Sequence, residues 1–412
     1  MKKYLSEKKI KYELANLKNI VFEVTDSCNL KCKYCAYGKF YLNYDKRENK
    51  NLSFEKAVIL INYLIPFWQS EMNISSTKNI IIGFYGGEPL LNMPFIYKII
   101  DFVENLKISN IIFSFNMTTN GILLDKYIEY LVEKKFQLMI SLDGNKKNNS
   151  YRLNKSGKSS FEQILKNIDM IQSTYPEYFK NNINFNAVLH NKNSVEEIHN
   201  FFKKKNYNIP LIQELSNTGI QPHKVKEFVK AYKNHNESLH QSEHYEKIEK
   251  ERFIMSPNYL TFKQFLNSFS GYYYRDYNEL LYEKYEGTFW VTGTCPPFNK
   301  KIFLTVSGKI LPCERIGQNF VLGQVNEDEV NMNFTKIAEK YNKYFSKLEK
   351  QCTECYRKNS CLQCIFLFTD IEGKPVCNGF VSKQMFEQYV KQNMEFIAKH
   401  PEDYYKIIEE AN

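Results

Sequence analysis

The sequence predicts an α/β fold in which six strand–helix repeats curl a parallel sheet into a partial (β/α)6 TIM-like barrel, followed by a helical bridge and a cysteine-rich region. Three observations carry this. Apolar runs alternate with amphipathic helical segments from about residue 19 to 215. Of the 10 cysteines, three sit together at Cys28, Cys32 and Cys35, and the rest fall between Cys295 and Cys377. A chain of 412 residues is too long for one simple core and suggests about two or three units.

The strand-like runs are Asn19–Val24, Asn79–Tyr85, Ile111–Met117, Phe136–Leu142, Asn182–Leu189 and Ile209–Leu215. Helical segments lie between them. Ser53 can cap one with Phe54, Val58, Ile61 and Leu64 on its apolar face, and Asp125 opens another with Ile128, Leu131 and Val132. Ser160 with Gln163, and Ser194 with Glu197, fit the capping box. In such a sheet, functional residues belong at the C-terminal ends of strands. The expected divisions are an N-terminal extension over 1–18, the barrel over 19–215, a polar, Tyr-rich helical bridge over 216–294, a cysteine-rich domain over 295–380 and a terminal helix over 381–412.

Composition narrows the class. With 43% hydrophobic and 25% charged residues the chain reads as an ordinary soluble globular protein. The longest apolar stretch, Ala57 to Trp68, is too short to span a bilayer, and no apolar run follows the charged N-terminus as in a signal peptide. A cytoplasmic protein with no membrane partner is expected. The net charge of +10 could suit an acidic partner, but Lys and Asn are abundant throughout and the basic runs are short, which weighs against nucleic acid. Clustered cysteines in a chain with no export signal point to metal or catalysis rather than disulfides.

Cys28-Asn-Leu-Lys-Cys32-Lys-Tyr-Cys35 is a CxxxCxxC loop directly after the first strand. Three thiolates on one loop can hold three irons of a 4Fe–4S cube and leave the fourth iron open. A zinc loop is the bland reading, although zinc wants four ligands and no further Cys or His is near in sequence. With Tyr34 before its last cysteine, the motif resembles the signature of the radical S-adenosylmethionine (radical SAM) superfamily. Other segments match that family in order, each after a strand. Tyr85-Gly86-Gly87-Glu88-Pro89 resembles its GGEP motif, with Glu88 as acceptor for the SAM ammonium. Thr118-Thr119-Asn120-Gly121 resembles a segment near the ribose. Ser141-Leu142-Asp143-Gly144 resembles a segment whose Ser lies near SAM. Arg152, five residues before Gly157, resembles an Arg that contacts the SAM carboxylate. The resemblance implies cofactor contacts from Tyr34, Gly86, Gly87, Glu88, Asn120, Ser141 and Arg152. It also implies an oxidoreductase that draws single electrons from a donor such as flavodoxin or ferredoxin.

Toward the C-terminus, Cys295 is followed by a hairpin pattern over Lys301–Pro312 that can return Cys313 toward it. Cys352-x2-Cys355-x5-Cys361-x2-Cys364 and Cys377 follow. This resembles the SPASM extension of radical SAM enzymes that modify peptides and proteins, which usually holds two auxiliary 4Fe–4S clusters. By that resemblance Cys295, Cys313 and Cys364 ligate the first, and Cys352, Cys355, Cys361 and Cys377 the second. Two departures stand out. The CxxC ending at Cys364 is one residue shorter than the usual CxxxC, and the extra upstream cysteine that completes the first cluster in some members is missing. The first auxiliary cluster then has an open iron or a non-Cys ligand. Paired CxxC motifs also suit a zinc module.

The resemblance implies a peptide maturase that abstracts a hydrogen from a ribosomally made precursor carrying a leader, and forms a thioether or carbon–carbon crosslink. The alternatives are a sulfatase-type maturase forming formylglycine and a non-catalytic zinc-binding adaptor. No leader-binding domain is seen ahead of the barrel, so recognition would fall to a separate protein, the bridge or the tail. His240-x3-His244 reads as a solvated helical face, and residues 271–276 as packing or a channel lining.

Overall fold

The computed structural model describes residues 4–74, 78–252, 259, 262–263, 265–266, 292–358, 361–368 and 370–411. The chain packs as two units. One comprises Lys8–Ile248 and Pro296–Phe334, the other Met1–Glu7, Glu249–Cys295 and Thr335–Asn412. Residues 271–276, singled out in the sequence, lie outside the described residues.

The larger unit is built on a parallel sheet. Its strands are β1 (Asn19–Thr25), β2 (Lys78–Gly86), β3 (Ile111–Thr119), β4 (Gln137–Ser141), β5 (Ile183–Leu189) and β6 (Leu211–Glu214). They pair in chain order, each parallel to the next, and helices join them, giving the partial (β/α)6 arrangement. In β1 every residue after Asn19 is buried, the pattern of a strand covered on both faces. The helix Phe54–Trp68 starts at Ser53, whose hydroxyl accepts the Lys56 N–H at 3.2 Å, and it runs through Pro66. Ser194 caps Val195–Lys204 in the same way, accepting from Glu197 N–H at 3.1 Å.

Ser160 departs from the capping-box expectation. Its hydroxyl is buried and donates instead to the Arg152 carbonyl at 2.7 Å, so it makes no cap for Phe161–Thr174. Residues 301–312 form the expected hairpin, β7 (Ile302–Leu304) and β8 (Lys309–Leu311), turned at Gly308 with φ 83°. This hairpin does not stand apart. β7 pairs parallel with β1, Ile20 opposite Ile302 and Phe22 opposite Leu304, and β9 (Gly323–Val325) and β10 (Val330–Asn331) extend the same sheet to ten strands. Val21, Phe303 and Leu311 pack together at this seam.

In the smaller unit, the helix Phe334–Thr353 buries Ile337, Tyr341, Phe345, Leu348 and Cys352. Residues 381–412, expected as a single terminal helix, form two, Lys383–Lys399 and Pro401–Ala411. Proline removes an N–H and drives the preceding residue out of helical conformation, and His400 sits at φ −131°, ψ 61°. Among the described residues no helix is long and apolar enough to cross a membrane.

Candidate active site at the strand ends

The sequence-predicted cofactor residues gather after the C-terminal ends of β1–β4. The loop carrying Cys28, Cys32 and Cys35 is tied down by backbone bonds from Lys31 N to Leu153 O (2.7 Å) and Lys33 N to Tyr151 O (3.1 Å). Behind it Tyr34 packs with Phe40, Tyr41, Leu215 and Phe228. Cys28 Sγ accepts from Leu30 N–H at 3.4 Å and from the Asn120 amide at 3.8 Å. Burial pushes the Cys28 thiol up to about 11 and that of Cys32 up to about 12, and the neighbouring thiols push the same way. Crowded thiols of this kind lose their protons to a metal, which relieves their mutual repulsion.

The two glycines of the second motif are required by close approach. Gly86 has φ 124°, and a Cβ there would sit 2.4 Å from Thr25 O; at Gly87 it would sit 1.9 Å from Ser27 O. They bring the next residue, Glu88, against the cysteine loop. Glu88 is 1% exposed. Its Oε1 accepts from the Thr119 hydroxyl at 2.7 Å and Leu90 N–H at 3.2 Å, and its Oε2 from Asn120 N–H at 2.8 Å. Burial raises its carboxyl to about 7 although all three bonds oppose the rise. Asn120 reaches on through its amide to Asn29 at 2.7 Å, inside the cysteine loop.

A second network joins that loop to β4 and β5. Asp143 is fully buried. Its Oδ1 accepts from Arg152 Nη2 at 2.9 Å and from Val188 N–H at 2.9 Å, and its Oδ2 accepts from the Tyr34 hydroxyl. His190 Nε2 lies 3.8 Å from Oδ2, and its ring stacks 4.4 Å from Tyr151 and 5.7 Å from Tyr34. Burial raises the Asp143 carboxyl, but the Arg152 guanidinium and His190 outweigh it and leave the group below its ordinary value. The Arg152 guanidinium carbon stands 5.4 Å from the Tyr34 ring centroid, and its Nε is buried with no hydrogen-bond partner. Ser141 is half-buried at the end of β4, level with Asn186 of β5. The sequence reading took this segment for its serine and missed the aspartate. The signal was there: an acid two residues beyond a strand end, with an Arg nine residues later.

All ten cysteines are free. In the larger unit, Cys313 follows β8 and its Sγ accepts from Arg315 N–H at 3.3 Å; burial pushes its thiol up to about 12. In the smaller unit, Cys352, Cys355, Cys361 and Cys377 line one cavity with Arg357 and Lys358. Burial pushes the Cys352 thiol up to about 12, and the other three thiols push the same way. Cys364 is raised to about 11, first by burial and also by nearby Cys295. His240 and His244 do not converge: one bonds the Asn236 carbonyl at 2.7 Å, and the other lies 3.6 Å from Glu196.

The radical SAM superfamily model matches residues 22–204, which run from within β1 past β5 and include Cys28, Cys32, Cys35, Glu88, Asn120, Asp143 and Arg152. The chain carries a radical SAM domain. Enzymes of this superfamily use SAM and a 4Fe–4S cluster. The cysteine-type anaerobic sulfatase-maturating enzyme of Clostridium novyi (strain NT) is 30% identical over 200 residues, 47% of this chain and 50% of that protein. The radical SAM cyclopropyl synthase TigE of Paramaledivibacter caminithermalis is 30% identical over 183 residues, 42% of this chain and 35% of that protein. The chain thus spans half or less of the length of these curated relatives. Among solved structures, native anSMEcpe with bound AdoMet superposes with a TM-score of 0.57 at 18% identity, covering 96% of this chain and 99% of that one. That likeness is one of fold, and it covers the cysteine-rich C-terminal part as well as residues 22–204.

Proposed function

We propose that this radical SAM protein is a peptide maturase that abstracts a hydrogen from a ribosomally synthesised precursor and installs a thioether or carbon–carbon crosslink. What supports the cofactor assignment is that the thiols of Cys28, Cys32 and Cys35 lie near enough to affect one another's protonation, beside a buried carboxylate and a buried guanidinium with an orphaned Nε at the strand ends. That donor set fits both groups. Cys28, Cys32 and Cys35 would hold a 4Fe–4S cluster and leave one iron without a protein ligand. Bound there, SAM and the cluster supply one-electron cleavage and hydrogen abstraction.

The chain's own residues do the rest. Glu88 accepts from the SAM ammonium, at a carboxylate held by three donors. Arg152, oriented by Asp143, would bind the SAM carboxylate. Gly86 and Gly87 let the cysteine loop approach closely, Asn120 would lie near the ribose and Ser141 near SAM, and Tyr34 would contribute from the loop. Cys352, Cys355, Cys361 and Cys377 hold one auxiliary cluster, which the shared cavity supports. Cys295, Cys313 and Cys364 remain for another. A three-cysteine cluster keeps an iron open to a substrate thiolate, which favours thioether formation. A donor such as flavodoxin or ferredoxin would supply the electrons.

The Clostridium novyi relative favours a second reading, conversion of a Cys or Ser of a sulfatase to formylglycine. A zinc adaptor has only the cysteine spacing in its favour. One experiment separates the three. The anaerobically reconstituted protein is incubated with SAM, dithionite and either a sulfatase peptide or the short precursor peptides encoded beside its gene. A loss of two hydrogens with a new crosslink supports the first reading, and formylglycine the second. Stoichiometric zinc and no deoxyadenosine support the third.

A further inference from the structure

The segment that follows the cysteine loop is pinned back onto the end of β1. Asp26 N donates to Lys50 O at 3.0 Å, and Leu52 N to Val24 O at 3.1 Å. The Asp26 carboxylate accepts Glu48 N–H on Oδ2 at 2.9 Å and Lys50 N–H on Oδ1 at 2.8 Å. Thr25 Oγ1 donates to Lys50 O at 2.9 Å, and Ser27 Oγ to Asn49 Oδ1 at 3.1 Å. Asn49 turns the chain at φ 60°. Six bonds over five residues fix this strip, and Arg47 stands at its head.

The Arg47 side chain is held in turn. Its guanidinium carbon lies 4.3 Å from the Tyr37 ring centroid, and its Nη2 donates to Cys35 Sγ at 3.8 Å. Nearby Glu23, buried on β1, is engaged by Val306 N–H at 3.0 Å and the Gln318 amide at 3.4 Å. Burial pushes its carboxyl up, against the Arg47 charge, which pulls it down. The contact between Arg47 and Cys35 is thus a cationic N–H on a sulfur of the cluster loop.

We infer that Arg47 is a positioning residue that raises the reduction potential of the cluster on Cys28, Cys32 and Cys35. The inference rests on the proposed cluster assignment. Reduction adds one electron to the cluster, taken from an external low-potential one-electron donor, and makes or breaks no bond. The added negative charge spreads onto the thiolate sulfurs, where a hydrogen bond from a cation stabilises it. Removing that donor makes the cluster harder to reduce. Sequence alone offered no sign of this, since Arg47 belongs to no motif and reaches Cys35 only through the Asp26 strip.

The test is an EPR-monitored redox titration of the anaerobically reconstituted full chain, comparing wild type with Arg47→Met and Arg47→Lys. The relevant signal is the one that added SAM perturbs, and iron and sulfide are counted for each. At a fixed ambient potential the Met variant is expected to show about a tenfold lower ratio of reduced to oxidised cluster, equal to a midpoint lower by about 59 mV for a one-electron couple. The Lys variant, charged but without the planar fork, should fall between. Should the Met variant fail to hold iron, the Lys variant decides, by a smaller shift of the same sign. Unchanged potentials with full iron would overturn the role of Arg47 and leave the cluster standing. No SAM-sensitive cluster signal in the wild type would overturn the cluster assignment itself.

Discussion

Arg152 and Asp143 form a buried ion pair at 2.9 Å, 5% and 0% exposed, and the same carboxylate takes the Tyr34 hydroxyl from the cysteine loop. One aspartate therefore fixes both the cation proposed for the SAM carboxylate and the aromatic residue beside Cys35.

Breaking this pair should cost both stability and SAM affinity. Arg152→Ala leaves a buried carboxylate with only neutral donors and His190, and a cost of about 3–5 kcal/mol is expected in urea unfolding. Asp143→Asn keeps the shape and should cost less, while still loosening SAM binding because Arg152 loses its anchor. The partners depress the Asp143 carboxyl. Its stabilisation is therefore present above the unfolded value of about 4 and is lost as the pH falls through the lower folded value. Equal acid sensitivity of wild type and Asp143→Asn would contradict this.

SAM affinity should also follow the protonation of Glu88. Burial raises that carboxyl to about 7, so near neutrality part of the free protein carries the neutral acid. An ammonium ligand needs the anion. Binding then releases a proton, and affinity rises with pH through about 7. It falls again above about 8, where an α-amino group loses its own proton. Equilibrium dialysis across that range should give a narrow optimum. Glu88→Gln should flatten the acidic limb, weaken binding by about 1.5–3 kcal/mol and leave the iron content unchanged.

Much of the barrel was legible because its signals are local. Six apolar runs became six strands, and Ser53 and Ser194 cap their helices as their spacing suggests. Ser160 carried the same spacing but is buried beside Arg152, where the carbonyl of that residue outcompetes the helix for its hydroxyl. The 301–312 hairpin was legible from Gly308, but its parallel pairing with β1 joins Ile20 to Ile302, and no local pattern encodes so distant a partner. The break before Pro401 was written in the sequence and passed over. In the site, motif residues were visible as motifs, Asp143 among them, though its segment was read for Ser141. His190, Asp26 and Arg47 were not, because each acts through a partner distant in sequence.

The auxiliary cysteines offer a further prediction. Cys295→Ala or Cys313→Ala should leave deoxyadenosine formation largely intact and stop crosslinking, because the open iron would bind the substrate thiolate rather than SAM. A Cys-containing substrate should perturb the spectrum of that cluster, and its Cys→Ser version much less. Full crosslinking of a substrate without cysteine would move the enzyme toward carbon–carbon bond formation.

The most direct measurement is 5′-deoxyadenosine released under dithionite by the wild type and by the Cys28→Ala, Cys32→Ala, Cys35→Ala triple variant, with iron counted in both. Three filled clusters predict roughly twelve irons in the wild type and about eight in the variant, whose C-terminal ligands are untouched. The wild type should cleave SAM and the variant should not. Deoxyadenosine from the triple variant, or a wild type that carries zinc in place of iron and leaves SAM intact, would contradict the account.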